Sequence, residues 1–592
     1  MDIKKLAEKI LGIKLNFKIN EIRCNGVYVD YNKNAATVGG NSKSALSRAY
    51  MLLAKGISEG KSAFKISQEA SFDTCGVMLD MSFGSVMKVE SVKKYLEYMA
   101  LHGMNMVMLY TEDTYEVEGY PYFGYQRGRY SLSELREIDD YAAELGIEVI
   151  PCIQTLGHLS KFLRYGVNNH IKENDAVLLP GEEETYALIS ECIKTCRSAF
   201  RSKRIHIGCD ETYGLGMGKT YARDGSRNKL ETFKMFNDHL SRVVDICEEY
   251  NFRPMMWSDM YFSLFAPGRS EDYGLEIEVP QHAIDAVPDV DLVFWDYYHD
   301  YNKFYSVNLE KHMKFDKHIL FAGGIWTWNG FVPNFRYTYD TVKPALEECL
   351  NFGVREVFGT SWAYGDINHH QALPCLAMYS EYCWRGKECT KDDVYSVSEF
   401  VTKVPFELSE SISDFFCGLE GDYNWGKLIL WSDPLINLLC YDIDIKKADE
   451  IYKNALKNFE NYKNVKDIEY YQALFTALVD KCMIHLNLRE KYKANDREWL
   501  RNFANDIIPQ FASDFERLYN LHEELWHRDL KTNGFEKLAV RYAGAIERIR
   551  YTGKVINRYL DGKTDVIEAL ETELIRGEKQ KYLQPDQVMY TY

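Results

Sequence analysis

Between about residue 75 and residue 385, short apolar runs alternate with amphipathic stretches. Eight apolar runs predict strands, and they read VMLD (77–80), NMVMLY (105–110), EVIPCIQ (148–154), RIHIGCD (204–210), RPMMWSDM (253–260), LVFWDYY (292–298), ILFAGGIW (319–326) and EVFGTSWA (356–363). Apolar residues at helical spacing predict helices at 90–102, 131–145, 181–200, 229–250, 341–352 and 371–383. Nearly continuous apolar strands joined by helices need covering on both faces, so the pattern predicts an α/β fold, a closed (β/α)8 TIM barrel of parallel strands.

The regions on either side of the barrel have different patterns. The N-terminal part contains a helical periodicity in MDIKKLAEKILGIKL, a predicted loop NKNAATVGG (32–40), a predicted helix KSALSRAYMLLAKGI (43–57) and a strand-like FKIS (64–67). After about residue 395 glycine and proline become sparse, and ASDFERLYNLHEELWHRDL and KLAVRYAGAIERIRYTGKVINRYL predict long helices. We therefore expect a small N-terminal α/β domain over 1–70, the barrel over 71–394 and an α-helical C-terminal domain over 395–592.

Polar and aromatic side chains follow the predicted strands. In a parallel barrel the chemistry lies at the carboxyl ends of the strands, so these residues are the candidates for a functional site. They are Asp80, Asp113, His158, Asp210, Glu211, Trp257, Asp259, Tyr297, Trp326 and Trp362.

The pair Asp210 and Glu211, in RIHIGCDETYGLG (204–216), is the most informative of these features. Two adjacent carboxylates disfavour each other's ionisation, so the pair belongs either to a solvated turn or helix cap, or to a cleft that uses it for chemistry. Adjacent strand residues point to opposite faces. Both carboxylates can therefore reach one cleft only if the backbone leaves the strand, which Gly208 and the glycine-rich loop after Glu211 allow.

A metal site is an alternative interpretation, because histidine and carboxylate are zinc ligands. It would combine His206 and His158 with the two acids. On a strand, however, His206 would lie more than about 10 Å from Asp210, since the rise is roughly 3.3 Å per residue. We therefore expect no metal and no other cofactor.

Composition and charge limit the class of partner. The 592 residues include 71 basic and 88 acidic side chains, a net charge of -17, which disfavours nucleic acid and anionic membranes and favours a neutral substrate. The length predicts two to four domains. No apolar run is long enough to span a membrane, and the N-terminus lacks the apolar core of a secretory signal. The 14 cysteines contain no C-x-x-C pair. We expect reduced thiols and a cytoplasmic protein, and the sequence leaves a homodimer open.

The run His206-Ile-Gly-Cys-Asp-Glu211 resembles the strand-four signature of glycoside hydrolase family 20, the β-N-acetylhexosaminidases, whose usual form is His-x-Gly-Gly-Asp-Glu. The resemblance extends over the barrel and, more loosely, to the N-terminal domain and to the helical C-terminal extension of some bacterial members. It implies an exo-acting retaining enzyme that hydrolyses terminal β-linked GlcNAc or GalNAc from an oligosaccharide or glycoconjugate. In this family the acetamido oxygen of the substrate is the nucleophile, and an oxazolinium intermediate forms.

The resemblance also implies roles for individual residues. Glu211 would be the general acid and then the base, and Asp210 would orient the acetamido N–H. Tyr297 would donate a hydrogen bond to the acetamido oxygen, and its neighbour Tyr298 is the alternative. Such a division of labour needs one protonated and one ionised carboxyl group.

Further residues match the remaining parts of that site. Trp257, Trp326 and Trp362 would form an aromatic pocket around the acetyl methyl group, because an apolar box excludes water there. His158 and Asp113 would form a hydrogen-bonded chain to the general acid and tune its pKa.

Recognition of the sugar hydroxyl groups departs from the family pattern. Where the family usually has Arg-Gly before the first strand, this chain has Cys75-Gly76, and Asp366 stands where a glutamate commonly follows the last barrel tryptophan. Asp366 and Asp259 are the substrate-binding candidates, and no preference between gluco and galacto sugars carries over. The alternative function is a non-catalytic barrel that binds amino sugars, which would not need both Asp210 and Glu211.

Overall fold

The computed structural model describes residues 1–226, 228–266, 273–417, 425–439 and 443–574. The chain forms two compact units. The first comprises Met1–Trp326, Tyr337–Tyr364 and Ala372–Thr402. The second comprises Thr327–Arg336, Gly365–Gln371 and Lys403–Tyr592. No helix of the described residues is long and apolar enough to cross a membrane.

The first unit begins with a four-stranded sheet in the order β1-β3-β2-β4. Its elements are α1 (Ile3–Leu11), β1 (Lys18–Arg23), β2 (Val27–Asn32), β3 (Ala35–Gly40), α2 (Lys43–Ser58) and β4 (Ala63–Gln68). The loop predicted at 32–40 is wrong, because β3 occupies most of it and pairs with β1 and β2. Small residues make this strand inconspicuous in the sequence, but Gly40 lets α2 approach closely, since a Cβ there would lie 2.5 Å from the Leu46 nitrogen.

Eight parallel strands form the closed barrel that the sequence predicts, in the order β10-β11-β12-β5-β6-β7-β8-β9. The strands are β5 (Thr74–Asp80), β6 (Met106–Glu112), β7 (Glu148–Ile153), β8 (Arg204–His206), β9 (Arg253–Trp257), β10 (Asp291–Trp295), β11 (Ile319–Gly324) and β12 (Glu356–Ser361). Almost all of their residues are buried. This burial on both faces explains why each strand reads as an apolar run.

Helices cover the barrel at the predicted places, with small shifts of their ends. They are α3 (Val89–Leu101), α4 (Leu132–Leu145), α5 (Ser160–Leu163), α6 (Glu183–Ala199), α7 (Lys219–Asp224), α8 (Lys229–Glu249), α9 (Asp259–Ser263), α10 (Gln281–Ile284), α11 (Asn302–Met313), α12 (Phe335–Asn351), α13 (Leu376–Arg385) and α14 (Lys391–Thr402). Six of these helices were predicted, and the sequence pattern missed the other six, which are α5, α7, α9, α10, α11 and α14. The helix predicted at 371–383 begins as a 3₁₀ turn that contains Pro374, because proline has no N–H for the α-helical bond.

The rest of the second unit is helical, as predicted. Its helices are α15 (Phe406–Ser413), α16 (Trp425–Trp431), α17 (Ile445–Phe459), α18 (Ile468–Lys493), α19 (Arg497–Asn502), α20 (Ile508–Asp529), α21 (Phe535–Leu560) and α22 (Glu568–Glu571). Long side chains such as Trp431 and Trp526 are fully buried among them. The predicted boundary at residue 395 lies inside α14, and the division into three domains stays a prediction. Residues 575–592 of the predicted helical domain lie outside the described residues.

Candidate active site

The turn after β8 brings Asp210 and Glu211 into one cleft. The strand ends at His206, earlier than predicted, and the backbone then passes through positive φ at Gly208 (73°), Cys209 (69°) and Glu211 (46°). Non-glycine residues seldom adopt this conformation, and where they do the surrounding structure must hold them there. The Asp210 side chain is 11% exposed and the Glu211 side chain 39%. The chain therefore leaves the strand before both acids, so the alternation of strand side chains does not force them to opposite faces.

His158 links the two carboxylates. Its Nε2 lies 3.2 Å from Asp210 Oδ2 and 3.4 Å from Glu211 Oε2. Burial opposes the charged form of the imidazole, but the nearby Asp210 outweighs it and raises the pKa of His158 well above its ordinary value. Burial likewise opposes ionisation of Asp210, yet His158 and a hydrogen bond from Gln154 lower the pKa of Asp210 overall. The site thus holds an ionised Asp210 beside a protonated histidine.

Gln154 orients Asp210 from the opposite side. Its Nε2 donates to Asp210 Oδ1 at 2.8 Å and contacts the Tyr110 hydroxyl oxygen at 3.0 Å, while its Oε1 accepts from the Cys209 backbone N–H at 3.3 Å. An amide side chain fixed by three partners has one orientation. One oxygen of Asp210 is therefore held by Gln154, and the other faces His158.

Asp259 holds the Glu211 backbone. One of its oxygens accepts from the Glu211 N–H at 2.9 Å, and the other accepts from the Trp295 indole N–H at 3.4 Å. Asp259 is fully buried. These contacts make it a support for the strained backbone of Glu211, and its predicted binding of sugar stays a prediction.

Aromatic side chains form a connected wall beside the acids. Tyr297 stacks on Trp295 with ring centroids 5.2 Å apart, and its carbonyl oxygen accepts from the Trp326 indole at 2.8 Å. Thr360 and Trp362 hydrogen-bond the Tyr297 hydroxyl group. Burial raises the pKa of Tyr297 well above its ordinary value. Its hydroxyl group therefore stays protonated and can donate a hydrogen bond.

The two tyrosine candidates differ in exposure. Tyr297 is buried, whereas Tyr298 is 41% exposed and lies edge-on to Trp326. Trp362 is half-buried and lies edge-on to Tyr110 at 4.8 Å, which joins the aromatic wall to the support of Asp210. The structure thus brings Tyr297, Trp326 and Trp362 together.

Trp257 lies inside the barrel. Its ring packs 4.3 Å from the His206 ring and 6.2 Å from the Phe358 ring, and only 1% of the residue is exposed. The nitrogen Nε1 is buried without a hydrogen-bond partner. The proposed place of Trp257 in the wall of a sugar pocket stays a prediction.

Asp113 and its neighbour Glu112 have different partners. Asp113 pairs with Arg127, whereas Glu112 interacts with His158. Arg127 donates to Asp113 at 2.7 Å, and the described contacts of Asp113 do not include His158. Glu112 is buried, accepts from the Tyr110 hydroxyl at 3.3 Å and interacts electrostatically with His158. Burial raises the pKa of Glu112 to about 8. A hydrogen-bonded chain from Asp113 to the general acid therefore stays a prediction, and Glu112 is a second acid near the same histidine.

Cys75 and Asp366 are the two positions at which the sequence departs from the family pattern of hydroxyl recognition. Cys75 is buried near the start of β5. Asp366 belongs to the second unit and pairs there with Lys427 and Lys537, which outweigh burial and lower its pKa to about 2. Both lysines engage the carboxylate that the sequence predicts to bind a sugar hydroxyl. That role stays a prediction.

One group of side chains could hold a metal ion. Within the residues that the structure describes, ligand atoms of His158, Asp210 and Glu211 lie within 4.8 Å of one another. This set differs from the one considered from the sequence, since His206 is fully buried and its Nδ1 accepts from the Gly208 N–H. A protonated histidine is a poor ligand, because metal binding needs the neutral imidazole.

Several residues of the site were missed in the sequence. Tyr110 and Gln154 are each the last residue of a predicted strand. Because the site lies at the carboxyl ends of the strands, this position alone could have identified them. Glu112 lies two residues after Tyr110, so on a regular strand both side chains would point to the same face. A bulge between them changes the register, which the sequence does not reveal. Tyr364, which interacts electrostatically with Glu211 and Asp210, gave no signal, since it lies in a loop with φ of 42°.

Two sequence models of one family match this chain. The catalytic domain of glycosyl hydrolase family 20 matches residues 72–269, and the Glycoside Hydrolase 20C C-terminal domain matches residues 418–589. Hexosaminidase D of Homo sapiens is 30% identical over 228 residues, 37% of this chain and 44% of the relative. Hexosaminidase D of Bos taurus is 30% identical over 233 residues, 38% of this chain and 62% of the relative. The chain therefore matches less than two thirds of the length of these relatives.

Solved structures share the fold. A chitobiase of Flavobacterium johnsoniae aligns with a TM-score of 0.52 at 15% identity, over 88% of this chain and 93% of that one. A mutant β-hexosaminidase of Streptomyces plicatus in complex with its product GlcNAc aligns with a TM-score of 0.51 at 15% identity, over 68% and 88% of the two chains. At these identities the likeness concerns the fold alone.

Proposed function

The chain belongs to glycoside hydrolase family 20, and we propose that it is an exo-acting, retaining β-N-acetylhexosaminidase. It removes terminal β-linked GlcNAc or GalNAc from an oligosaccharide or glycoconjugate. The observation that carries this proposal is the arrangement of Asp210 and Glu211 in one cleft, each within 3.4 Å of His158 Nε2. An ionised acid and an exposed acid side by side are what substrate-assisted hydrolysis requires.

Glu211 acts on the leaving group. Its carboxyl group is the more exposed of the two, so it can reach the glycosidic oxygen of a bound substrate. In the first step it donates a proton to that oxygen as the bond to the anomeric carbon breaks. In the second step it takes a proton from the water that attacks the same carbon. Protonated His158 lies beside Glu211 and stabilises the carboxylate left after the first step.

Asp210 acts on the acetamido group. The acetamido oxygen attacks the anomeric carbon, so positive charge develops on the acetamido nitrogen as the oxazolinium ring forms. An ionised Asp210 accepts a hydrogen bond from this N–H and offsets the charge. Gln154 and His158 keep the carboxylate ionised and fixed before the substrate arrives, which is the preorganisation that favours a charged transition state.

The aromatic wall of Tyr297, Trp326 and Trp362 surrounds the acetamido group as the oxazolinium ring forms. The Tyr297 hydroxyl group donates to the acetamido oxygen and aims it at the anomeric carbon, while Trp326 and Trp362 exclude water from the acetyl methyl group. Such a box selects an N-acetyl substituent over a free amine or hydroxyl group. A plain glucoside has no internal nucleophile and is a poor substrate for this site.

A leaving-group comparison tests the proposal. The wild-type protein should hydrolyse chromogenic aryl β-N-acetylglucosaminides and β-N-acetylgalactosaminides, and the ratio of the two gives the epimer preference. Glu211→Gln should lose on the order of 10² to 10⁴ in rate on alkyl glycosides and less on activated aryl glycosides, which need little protonation. Equal losses on both would count against the acid role. A wild-type protein that binds GlcNAc without turnover would favour the non-catalytic binding barrel instead.

We also propose that the protein works in the cytoplasm on carbohydrate, without nucleic acid or membrane. Among the described residues thirteen cysteines are free thiols, twelve of them buried, which supports a reducing compartment. The net charge of -17 supports a neutral substrate. A homodimer is part of the same proposal, and the molar mass in solution tests it.

A further inference from the structure

Two segments that follow barrel strands belong to the helical second unit. Thr327–Arg336 comes after β11 and Gly365–Gln371 comes after β12, and both are part of the second unit. We call them the β11 segment and the β12 segment. The β11 segment begins directly after Trp326, and the β12 segment begins three residues after Trp362. Each segment therefore continues from a tryptophan of the aromatic wall.

Buried polar side chains hold the β12 segment within the second unit. Asp366 pairs with Lys427 of α16 and, at 3.3 Å, with Lys537 of α21. Asn368 donates from Nδ2 to the Asp529 carboxylate of α20 at 2.7 Å. Asp366, Asn368 and Asp529 are all buried. Breaking a buried ion pair leaves an uncompensated charge, so these contacts hold the segment firmly on three helices.

The β11 segment is held in the same unit by aromatic packing and by hydrogen bonds. The Phe331 ring lies 5.6 Å from the Trp431 ring of α16, and the Phe331 carbonyl oxygen accepts from the Tyr470 hydroxyl group at 3.1 Å. At the end of the segment, Arg336 donates to the Glu410 carbonyl oxygen of α15 at 2.9 Å. Both ends of the segment are therefore restrained.

Lys427 connects the two segments. Its ammonium group pairs with Asp366 of the β12 segment and lies 5.8 Å from the centre of the Phe331 ring of the β11 segment. A cation at this distance from an aromatic face is attracted by the ring electrons. Gln371 adds a second link, because its Nε2 donates to the Phe331 carbonyl oxygen at 3.4 Å. Lys427 is buried, so both of its interactions act with little screening by water.

We propose that Lys427 and Asp366 are positioning residues for the acetamido pocket, and that the helical unit sets the selectivity for the N-acyl group by fixing the two segments. This inference rests on the proposed function. Freedom gained by a segment passes along the chain to the tryptophan that precedes it, Trp326 or Trp362. An apolar pocket rejects one extra methylene only while its walls are held in place. Asp366 then acts through the chain rather than on a sugar hydroxyl group.

A comparison of acyl groups tests the inference. The probes are nitrophenyl β-glucosaminides that carry an N-acetyl or an N-propionyl group and so differ by one methylene. For the wild-type protein we expect kcat/KM to favour the acetamide by about tenfold or more, as an apolar pocket provides for one methylene. Lys427→Met keeps a side chain of similar length and removes the charge. It should lower this ratio by about threefold to tenfold, and Asp366→Asn should do the same.

Asp433→Asn is the matched control. Asp433 is a buried acid of the same unit that pairs with Arg548 at 2.6 Å, and its described contacts lie outside the two segments. This variant should lower the melting temperature but leave the acyl ratio unchanged. Arg336→Met loosens the β11 segment at a partly exposed side chain, so it should fold even if Lys427→Met does not. It should also lower the acyl ratio.

Four results would overturn the inference while the proposed function stands. They are an unchanged ratio in both Lys427→Met and Arg336→Met, an equal fall of the ratio in Asp433→Asn, a wild-type protein that hydrolyses both acyl glycosides equally well, or a lower kcat/KM of Asp366→Asn at an unchanged ratio. The last result would indicate that Asp366 binds the sugar directly. Failure of the wild-type protein to hydrolyse either glycoside would instead remove the proposed function, and the inference with it.

Discussion

The carboxylate of Asp259 accepts a hydrogen bond of 2.9 Å from the backbone N–H of Glu211, the residue proposed as general acid. Glu211 has a φ of 46°, a conformation that side chains other than glycine rarely adopt without support. The other Asp259 oxygen receives the Trp295 indole N–H at 3.4 Å. A buried acid therefore holds the strained peptide that orients the side chain of the proposed general acid.

Replacing Asp259 by asparagine should show this support in the kinetics. The amide oxygen can accept from Glu211 or from Trp295, whereas its NH₂ group faces a donor, so one charge-assisted bond is lost. We expect kcat to fall about tenfold to a hundredfold with little change in KM. Trp295→Phe is the control, because it removes only the indole donor and keeps a ring against Tyr297. Equal losses of kcat in the two variants would show that Glu211 is not what Asp259 supports.

Gln154 should control the ionisation of Asp210. Its amide donates to Asp210 Oδ1 at 2.8 Å, and Gln154→Glu would place a second carboxylate there. Like charges raise each other's pKa, so the acid limb of the pH profile of kcat/KM should move to higher pH. Gln154→Met loses the hydrogen bond without adding charge, so its rate should fall while the acid limb moves much less. An acid limb that does not move in Gln154→Glu would contradict the assignment of that limb to Asp210.

Glu112 should make stability depend on pH. Burial raises its folded-state pKa from 4.5 to about 8, so the folded protein holds this proton more tightly than the unfolded chain does. Its stabilising effect is complete below about pH 4, the unfolded pKa, and is lost as pH rises toward 8. Relative to Glu112→Gln, the wild-type free energy of unfolding should fall by about 1.4 kcal/mol per pH unit across this range. Denaturant unfolding at several pH values measures it.

The control for Glu112 is Glu118→Gln. Glu118 follows in the same segment, but its side chain is 86% exposed. Its removal should leave the pH dependence of stability as in the wild type. A Glu112→Gln curve parallel to that of the wild type would mean that Glu112 is ionised in the folded protein at neutral pH.

Chelation should leave the activity intact. The ligand atoms of His158, Asp210 and Glu211 are close enough to hold an ion, but the raised pKa of His158 keeps its imidazole protonated at neutral pH. We expect full hydrolysis of an aryl N-acetylglucosaminide after dialysis against EDTA. Loss of activity that returns on addition of zinc would instead establish this cluster as a metal site.

The barrel strands could be predicted from the sequence for a physical reason. Its strands are buried on both faces, so runs such as NMVMLY are apolar throughout and stand out against their amphipathic neighbours. The strand Ala35–Gly40 was not readable, since its small residues form a strand only through pairing with β1 and β2. Local pattern therefore predicted the elements that carry their own hydrophobicity and missed those that depend on tertiary pairing.

Only some residues of the candidate site could be predicted from the sequence. Asp210 and Glu211 stand out as adjacent acids after a buried strand, and the family signature assigns them roles. The places of Asp259, which supports a backbone, and Asp366, which pairs with two lysines, depend on residues far away in the chain. Glu112 was overlooked beside Asp113 because a bulge after Tyr110 changes which side chains share a face.

The binding of a thiazoline tests the central claim, that the acetamido group of the substrate is the nucleophile and that Asp210 stabilises the charge it develops. A stable thiazoline fused to GlcNAc mimics the bicyclic intermediate, and a site built for that intermediate binds such a mimic at least about 10² times more tightly than the product sugar. We predict competitive inhibition of this strength by the wild-type protein and loss of most of the advantage in Asp210→Asn. A thiazoline that binds no better than GlcNAc, or mass spectrometry of enzyme quenched during turnover that finds a sugar bound to a carboxylate, would contradict the account.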